Sequence, residues 1–195
     1  GLAIVTQEVS GHGGTLAGNV SLSGAQQALG GTIALHLKDL GIIELFTTEV
    51  AEVKGGLDAD FNLSGTVADP SITGQAVVSG FAAEVPSAGL KLKNGRISVT
   101  TADAKNYVVD GTVGSGDGTL GIKGTALLGT GATMRLGVTG SKFTAVDIPA
   151  AKAILSPDLT IVQDAKGMNV SGKLNVDLAD VNVERLPGAG ATKAS

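Results

Sequence analysis

NVSGKLNVDL, residues 169–178, alternates for ten residues without a fault. Val170, Gly172, Leu174, Val176 and Leu178 fall on one side; Asn169, Ser171, Lys173, Asn175 and Asp177 fall on the other. A period of two is what a strand shows when one face is dry and the other meets water. Working outward, the same pattern recurs. Leu16, Gly18, Val20 and Leu22 alternate with Ala17, Asn19, Ser21 and Ser23, and Ile33, Leu35 and Leu37 with Thr32, Ala34, His36 and Lys38. Leu57, Ala59, Phe61 and Leu63 stand against Asp58, Asp60, Asn62 and Ser64, and Met134, Leu136 and Val138 against Arg135, Gly137 and Thr139. The chain therefore reads as all-β, a long run of half-wet strands. Sheets of this kind need something apolar against the dry face, so what covers that face is the question of function.

Between the strands the punctuation is specific. An apolar start over 2–9 leads to a turn at SGHGG, 10–14. Asp39 has the character of an N-cap, and Leu40, Ile43 and Phe46 follow at helical spacing, which predicts a short helix over 40–46. GTVADP at 65–70 is a turn, followed by short strands over 72–78 and 81–85. Asn94-Gly95 suits a two-residue hairpin, which would set Leu92 against Ile97, Leu90 against Val99 and Lys91 against Ser98. Asp117-Gly118 repeats the device, with Val113 facing Ile122, Thr112 facing Lys123 and Val109 facing Ala126. DIPAAKAIL at 147–155 predicts a second short helix with Pro149 near its start. Leu159 and Ile161 resume the strand pattern. The apolar phase slips from Leu178 to Val181 and Val183, which predicts a bulge near Ala179 and Asp180. This division gives N-terminal strands and a short helix over 1–52, a main β-domain over 53–187 and a tail over 188–195.

Composition narrows what the dry face can be. Aromatic residues are 3% of the chain, Trp is absent, and Gly reaches 30 of 195 residues. Charged residues stop at 16%, against about 25% in an average soluble domain. A closed sandwich core leans on large side chains to fill the space between sheets, and this chain offers mostly Val, Leu, Ile, Ala and Gly. A net charge of -4 leaves no basic stripe for phosphates, so no nucleic-acid partner is expected. The lack of Cys excludes disulfides and thiol chemistry. No apolar run approaches the roughly 18 residues that span a bilayer. The termini, GLAIVTQ and GAGATKAS, suggest a piece of something longer.

Candidates for chemistry are few. His12 lies in a Gly loop near Ser10, but no G-x-S-x-G elbow surrounds any Ser. His36 sits on the polar side of its strand, as do Asp58 and Asp60, and all three read as solvated. GSGDGTLG at 114–121 is one copy of a calcium-roll-like motif that needs tandem copies, so a hairpin turn is preferred. Lys91, Lys93 and Arg96 form a small basic knot that reads as a solvated turn. No phosphate-cradling loop is present. No catalytic residue, metal site or cofactor is assigned, and no enzyme is expected.

What remains is the apolar face, for which the candidates are Leu57, Phe61, Leu63, Leu90, Leu92, Ile97, Val99, Leu120, Ile122, Met134, Leu136, Val138, Leu159, Ile161, Val170, Leu174, Val176 and Leu178. If two such faces close on each other, the protein is a plain β-sandwich, of the kind found in passenger-type adhesion domains. If the sheet folds only partly over, it leaves a dry trough suited to hydrocarbon, where burial is worth about 0.8 kcal/mol per CH₂.

Three segments carry a family resemblance: FNLSGTVADPSITGQAVVSGF at 61–81, NGRISVTTADAKNYVVDGTVGSGDGTLGIKGTALL at 94–128, and ILSPDLTIVQDAKGMNVSGKLNVDLADVNVERLP at 154–187. In this order they resemble the C-terminal region of the TamB family, the translocation and assembly module inner-membrane component, which is similar to AsmA-like envelope bridge proteins. The resemblance implies an elongated, curved β-sheet folded lengthwise into an open hydrophobic groove (a β-taco). It also implies a periplasmic location, an inner-membrane anchor outside this chain, and an outer-membrane barrel partner of the Omp85 type (TamA). The implied role is in outer-membrane biogenesis, with phospholipid or another acyl-chain lipid, or apolar outer-membrane protein strands, as cargo. The family supplies no catalytic motif, and the chain is expected to stop short of the family's C-terminal end.

Overall fold

The computed structural model describes residues 2–11, 13–24, 27–101, 103–127 and 131–182, without the side chains of 2–11. His12, Val183 and the 188–195 tail lie outside the described residues. Twelve strands form one antiparallel sheet: β1 (Leu2–Gly11), β2 (Gly14–Ser23), β3 (Ala28–Leu37), β4 (Ala51–Gly65), β5 (Pro70–Val85), β6 (Leu90–Thr101), β7 (Asn106–Ser115), β8 (Gly118–Leu127), β9 (Thr133–Ser141), β10 (Phe143–Ile148), β11 (Ala151–Asp164) and β12 (Gly167–Val181). Each strand pairs with the next as far as β9. There β9 and β10 act as two halves of one bent strand broken at Lys142: β9 pairs with the far half of β11 and β10 with its near half, while β12 lines the other edge of β11. The sheet is open, with β1, β12 and the outer side of β10 left without a strand partner, and there is no second sheet among the described residues. The closed sandwich is thereby set aside. Consecutive strands pair through short connections, which is why the sheet grows in chain order. Strand β4 includes residues 52 and 53, where its ladder to β5 shifts register.

Several local expectations hold. The turn at 65–70 joins β4 to β5, with Thr66 N–H donating to the Asp69 carbonyl at 3.2 Å. The short helix is a 3-10 helix, Leu40–Leu45, and Asp39 caps it by accepting from Gly41 N–H at 2.9 Å. A second 3-10 turn, Pro86–Ala88, joins β5 to β6.

Others are corrected. Asn94-Gly95 is not a hairpin: β6 runs straight through it, and Leu90 and Leu92 pair with Val85 and Ala83 instead of with Val99 and Ile97. Asn94 does adopt the positive φ that the dipeptide favours, 53°, but uses it for a β-bulge. Because the bulge inserts one residue, Leu90 and Leu92 still share a face with Ile97 and Val99. The second hairpin forms around Gly116 and Asp117, so Val113 meets Leu120, Thr112 meets Gly121 and Val109 meets Gly124. Gly116, at φ 58°, takes the positive-φ position one residue earlier than expected. The second helix does not form. Residues 147–155 are the end of β10, a tight turn at Pro149 and Ala150, and the start of β11. Strand partners on both edges of 151–155 override the helical propensity of its alanines. The strands expected over 72–78 and 81–85 are one, β5, bulged at Gly80. In β12 the slip lies between Val176 and Leu178, opposite Ile154 and Leu155, two to three residues before the expected place.

Strand connections alternate between two rims of the sheet. One rim carries the links from β2 to β3, β4 to β5, β6 to β7, β8 to β9 and β11 to β12. The other carries the link from β1 to β2, the Leu40–Leu45 helix, the Pro86–Ala88 turn, the hairpin at 116–117 and the turn at 149–150. Irregularities at Glu52, Gly80, Asn94 and Lys142 gather toward this second rim. Bulges bend and twist a sheet where they fall. There β10 passes over the ends of β6 and β7: Ser115 Oγ donates to the Thr144 carbonyl at 2.8 Å, and Ser115, Phe143, Thr144 and Ala150 are buried.

Candidate functional site

Cross-strand partners in an antiparallel sheet point to the same side, so register alone decides which residues share a face. One row runs Leu57, Val78, Ile97, Gly111, Ile122, Val138, Leu159, Gly172 from β4 to β12. The next runs Ala59, Ala76, Val99, Val109, Gly124, Leu136, Ile161, Val170. Phe61 faces Gly74, Leu63 faces Ile72, and Met134 pairs with Ala126 and Gln163. Toward the second rim Leu92 pairs with Ser115, Leu120 with Val113, Leu174 with Pro157 and Val176 with Leu155. The sequence candidates thus lie together on one side of the sheet, except Leu178, which pairs with Ile154 beyond the β12 slip.

None of these candidates is buried. Most are half-buried, and Ile97, Val170, Leu174, Val176 and Leu178 are more than 40% exposed. The buried hydrophobic residues are others: Leu40, Val53, Ala59, Ala83, Tyr107, Phe143 and Ala150. A tight cluster sits where the Leu40–Leu45 helix lies on this face. Leu40, Val53 and Ala83 form its centre, with Leu37, Val50, Leu57, Val78 and Phe81 around them. Helical spacing at 40–46 announced the helix, but the seat beneath it depends on the bulge at Gly80, which brings Ala83 onto the face of Val78 and opposite Leu92, where Val53 joins it in phase with Leu57. Near the other rim a depression of about 440 Å³ opens among Ala126, Leu127, Met134, Gln163 and Ala165.

The opposite face is polar and ion-paired. His36 Nδ1 lies 2.9 Å from Asp58 Oδ1, and its Nε2 lies 3.8 Å from Asp60. Lys123 meets Asp110 at 3.1 Å. Glu84 receives Lys91 at 2.7 Å, and that hydrogen bond with its charge attraction raises the lysine pKa. These pairs are solvent-exposed, where each contributes little to stability. Among the described residues no group of three or more His, Asp or Glu side chains could hold a metal ion. What the molecule offers is a wide aliphatic surface bordered by polar strand ends.

Comparison with known proteins agrees with the motifs. The family model described as the TamB C-terminal domain matches residues 109–195. The translocation and assembly module subunit TamB of Haemophilus influenzae is 25% identical over 179 residues, covering 89% of this chain and 14% of that protein. No solved structure matches the chain. The resemblance carried by 61–81, 94–128 and 154–187 is thereby borne out as a resemblance: residues 109–195 match the model of the TamB C-terminal domain, and 89% of this chain is similar to part of the Haemophilus influenzae TamB.

Proposed function

We propose that the apolar face is an open trough that holds acyl chains of lipids, or apolar strands of outer-membrane proteins, in a periplasmic segment of an inner-to-outer membrane bridge. The observation that carries this reading is the state of the face. Its aliphatic residues are in register across eight strands, yet none of the eighteen candidates is buried, and no second sheet covers them among the described residues. Exposed apolar area on this scale marks an interaction surface. The near absence of ionisable groups on it suits hydrocarbon, not head groups. The chain acts by holding its cargo, without catalysis.

Likeness to TamB adds the setting: an inner-membrane anchor elsewhere in the full-length protein, an outer-membrane barrel of the Omp85 type such as TamA as partner, and a role in outer-membrane biogenesis. The chain spans 14% of the length of that relative. The test is chemical. The 195-residue chain, purified without detergent, is extracted with organic solvent and the extract analysed by mass spectrometry. Phospholipid in stoichiometric amount is expected. A lipid-free chain that also leaves a hydrophobic dye dark would defeat the reading.

A further inference from the structure

The apolar face already holds one alkyl group. Leu40 is 4% exposed, the buried residue of a helix whose other side chains are exposed or half-exposed, and it inserts over Val53 and Ala83. Its isobutyl group is chemically the end of a hydrocarbon chain. Leu37, Leu57, Val78 and Phe81 complete its seat, and all belong to the same face.

The segment that delivers Leu40 is lightly fastened. It is a six-residue 3-10 helix, a form with poorer hydrogen-bond geometry than an α-helix. Val53 N–H donates to Glu44 Oε1 at 2.7 Å and ties the helix to β4 beside the bulge at Glu52. Its outward residues are also apolar: Ile42, Leu45 and the following Phe46 are 50%, 80% and 83% exposed. A segment apolar on both sides is suited to lie on hydrocarbon, whether its own sheet or a bound chain.

We propose that the seat of Leu40 is an alkyl-binding subsite, occupied here by the chain's own leucine, and that the Leu40–Leu45 helix is a plug which an incoming acyl chain displaces. The ligand class is an uncharged hydrocarbon tail, because the side chains around Leu40 in the seat, Leu37, Val53, Leu57, Val78, Phe81 and Ala83, are all apolar. This inference rests on the trough reading above. A plug competes with ligand for one site, so apparent affinity falls by the fraction of molecules in which the site is free.

The test compares the 195-residue chain with Leu40→Ser and Glu44→Gln, titrated with a dansyl-labelled undecanoic acid, after circular dichroism and thermal melting show that the sheet persists. Leu40→Ser empties the subsite and is expected to bind about tenfold tighter or better. Glu44→Gln leaves Leu40 in place but loosens the tie, and is expected to tighten binding by a smaller factor. The chain has no Cys, so Phe46→Cys carries a single environment-sensitive label whose emission should change when the fatty acid binds. Equal or weaker binding by both variants, or an unchanged label, overturns the plug and leaves the trough standing. No binding by any of the proteins overturns both.

Discussion

Leu174→Asp separates an open face from a packed one, because folding and binding should respond to it by very different amounts. Leu174 sits on edge strand β12 opposite Pro157 and is 53% exposed. Fully burying a leucine stabilises a fold by about 1.5–3 kcal/mol, so less than half of that is at stake here, roughly 1 kcal/mol. The poorer strand propensity of Asp adds at most about 1 kcal/mol more. A hydrocarbon chain lying across the same position loses about 0.8 kcal/mol for each CH₂ that no longer finds apolar surface, and it would cover a carboxylate with no partner. A combined loss of about 3 kcal/mol is roughly a hundredfold in affinity. Ala83→Asp is the control: at 3% exposure it buries an unpaired charge beside Val53 and Leu40, which should unfold that end of the sheet. Thermal melting read against fatty-acid titration decides the matter. If Leu174→Asp melts the protein as Ala83→Asp does, the face is packed in solution. If it folds and binds as before, the ligand does not lie on this face. Either result refutes the reasoning.

Three further outcomes are expected. Asn94→Val should cost about 1–2 kcal/mol, since a β-branched residue resists the positive φ of the bulge, while Asn94→Gly should be nearly neutral; equal melting temperatures for the two would contradict the bulge. Ser115→Ala removes the hydrogen bond to the Thr144 carbonyl in a site 1% exposed and should destabilise by about 1 kcal/mol in urea unfolding; no change would show that β10 does not lie there in solution. Asp103 accepts from the Asn106 side chain and from the N–H groups of Lys105 and Asn106, which lowers its pKa below the ordinary carboxylate value. A depressed folded pKa means that its stabilisation is present above the unfolded value and is lost as pH falls through the folded one. An NMR titration of the Asp103 carboxyl should show the low midpoint, and a midpoint at or above the unfolded value would refute it.

Much of the face was legible from sequence because alternation survives wherever one side of a strand is dry. Leu57, Ile97, Ile122, Val138 and Leu159 came out in one row without any knowledge of partners. The turns were less legible, for a physical reason. Asn94-Gly95 announces a residue able to take positive φ, and a hairpin turn and a β-bulge both need one. The dipeptide reports the local conformation and not whether the chain reverses. Residues 147–155 misled in the opposite way: Ala150, Ala151 and Ala153 favour helix locally, but partners on adjacent β10 and, further along the chain, on β12 decide for strand. The packed seat of Leu40 was invisible for a similar reason. Ala83 reaches it only because β5 slips by one residue at Gly80, and that slip does not break the alternation conspicuously; Val53 is in phase with Leu57 but lies where the ladder to β5 turns irregular.

The glycines explain how a face so rich in aliphatic residues can remain a surface. Along the rows, large residues and glycines alternate across strands: Phe61 faces Gly74, Ile97 and Ile122 flank Gly111, Leu136 faces Gly124, and Leu159 faces Gly172. A Cβ on Gly74 would sit 2.0 Å from the Asp60 carbonyl, and one on Gly172 would sit 2.1 Å from that of Asp158, with φ of 143° and 133° that L-residues rarely adopt. Neither position can carry a side chain without moving the neighbouring strand. Elsewhere the large residue leans over its glycine, as Ile97 Cγ1 does at 3.1 Å from where a Gly111 Cβ would be. In a sandwich, large side chains stand up from both partners and interlock with a facing sheet. Here several large side chains have an empty neighbour to lie across, so the layer is satisfied partly within the sheet and stays shallow. That accounts for 30 glycines beside 3% aromatics, and for Leu, Ile and Val that share one face while remaining half open to water. A layer built this way does not call for a second sheet, and it presents a smooth hydrocarbon floor on which a flexible apolar chain can lie in many registers.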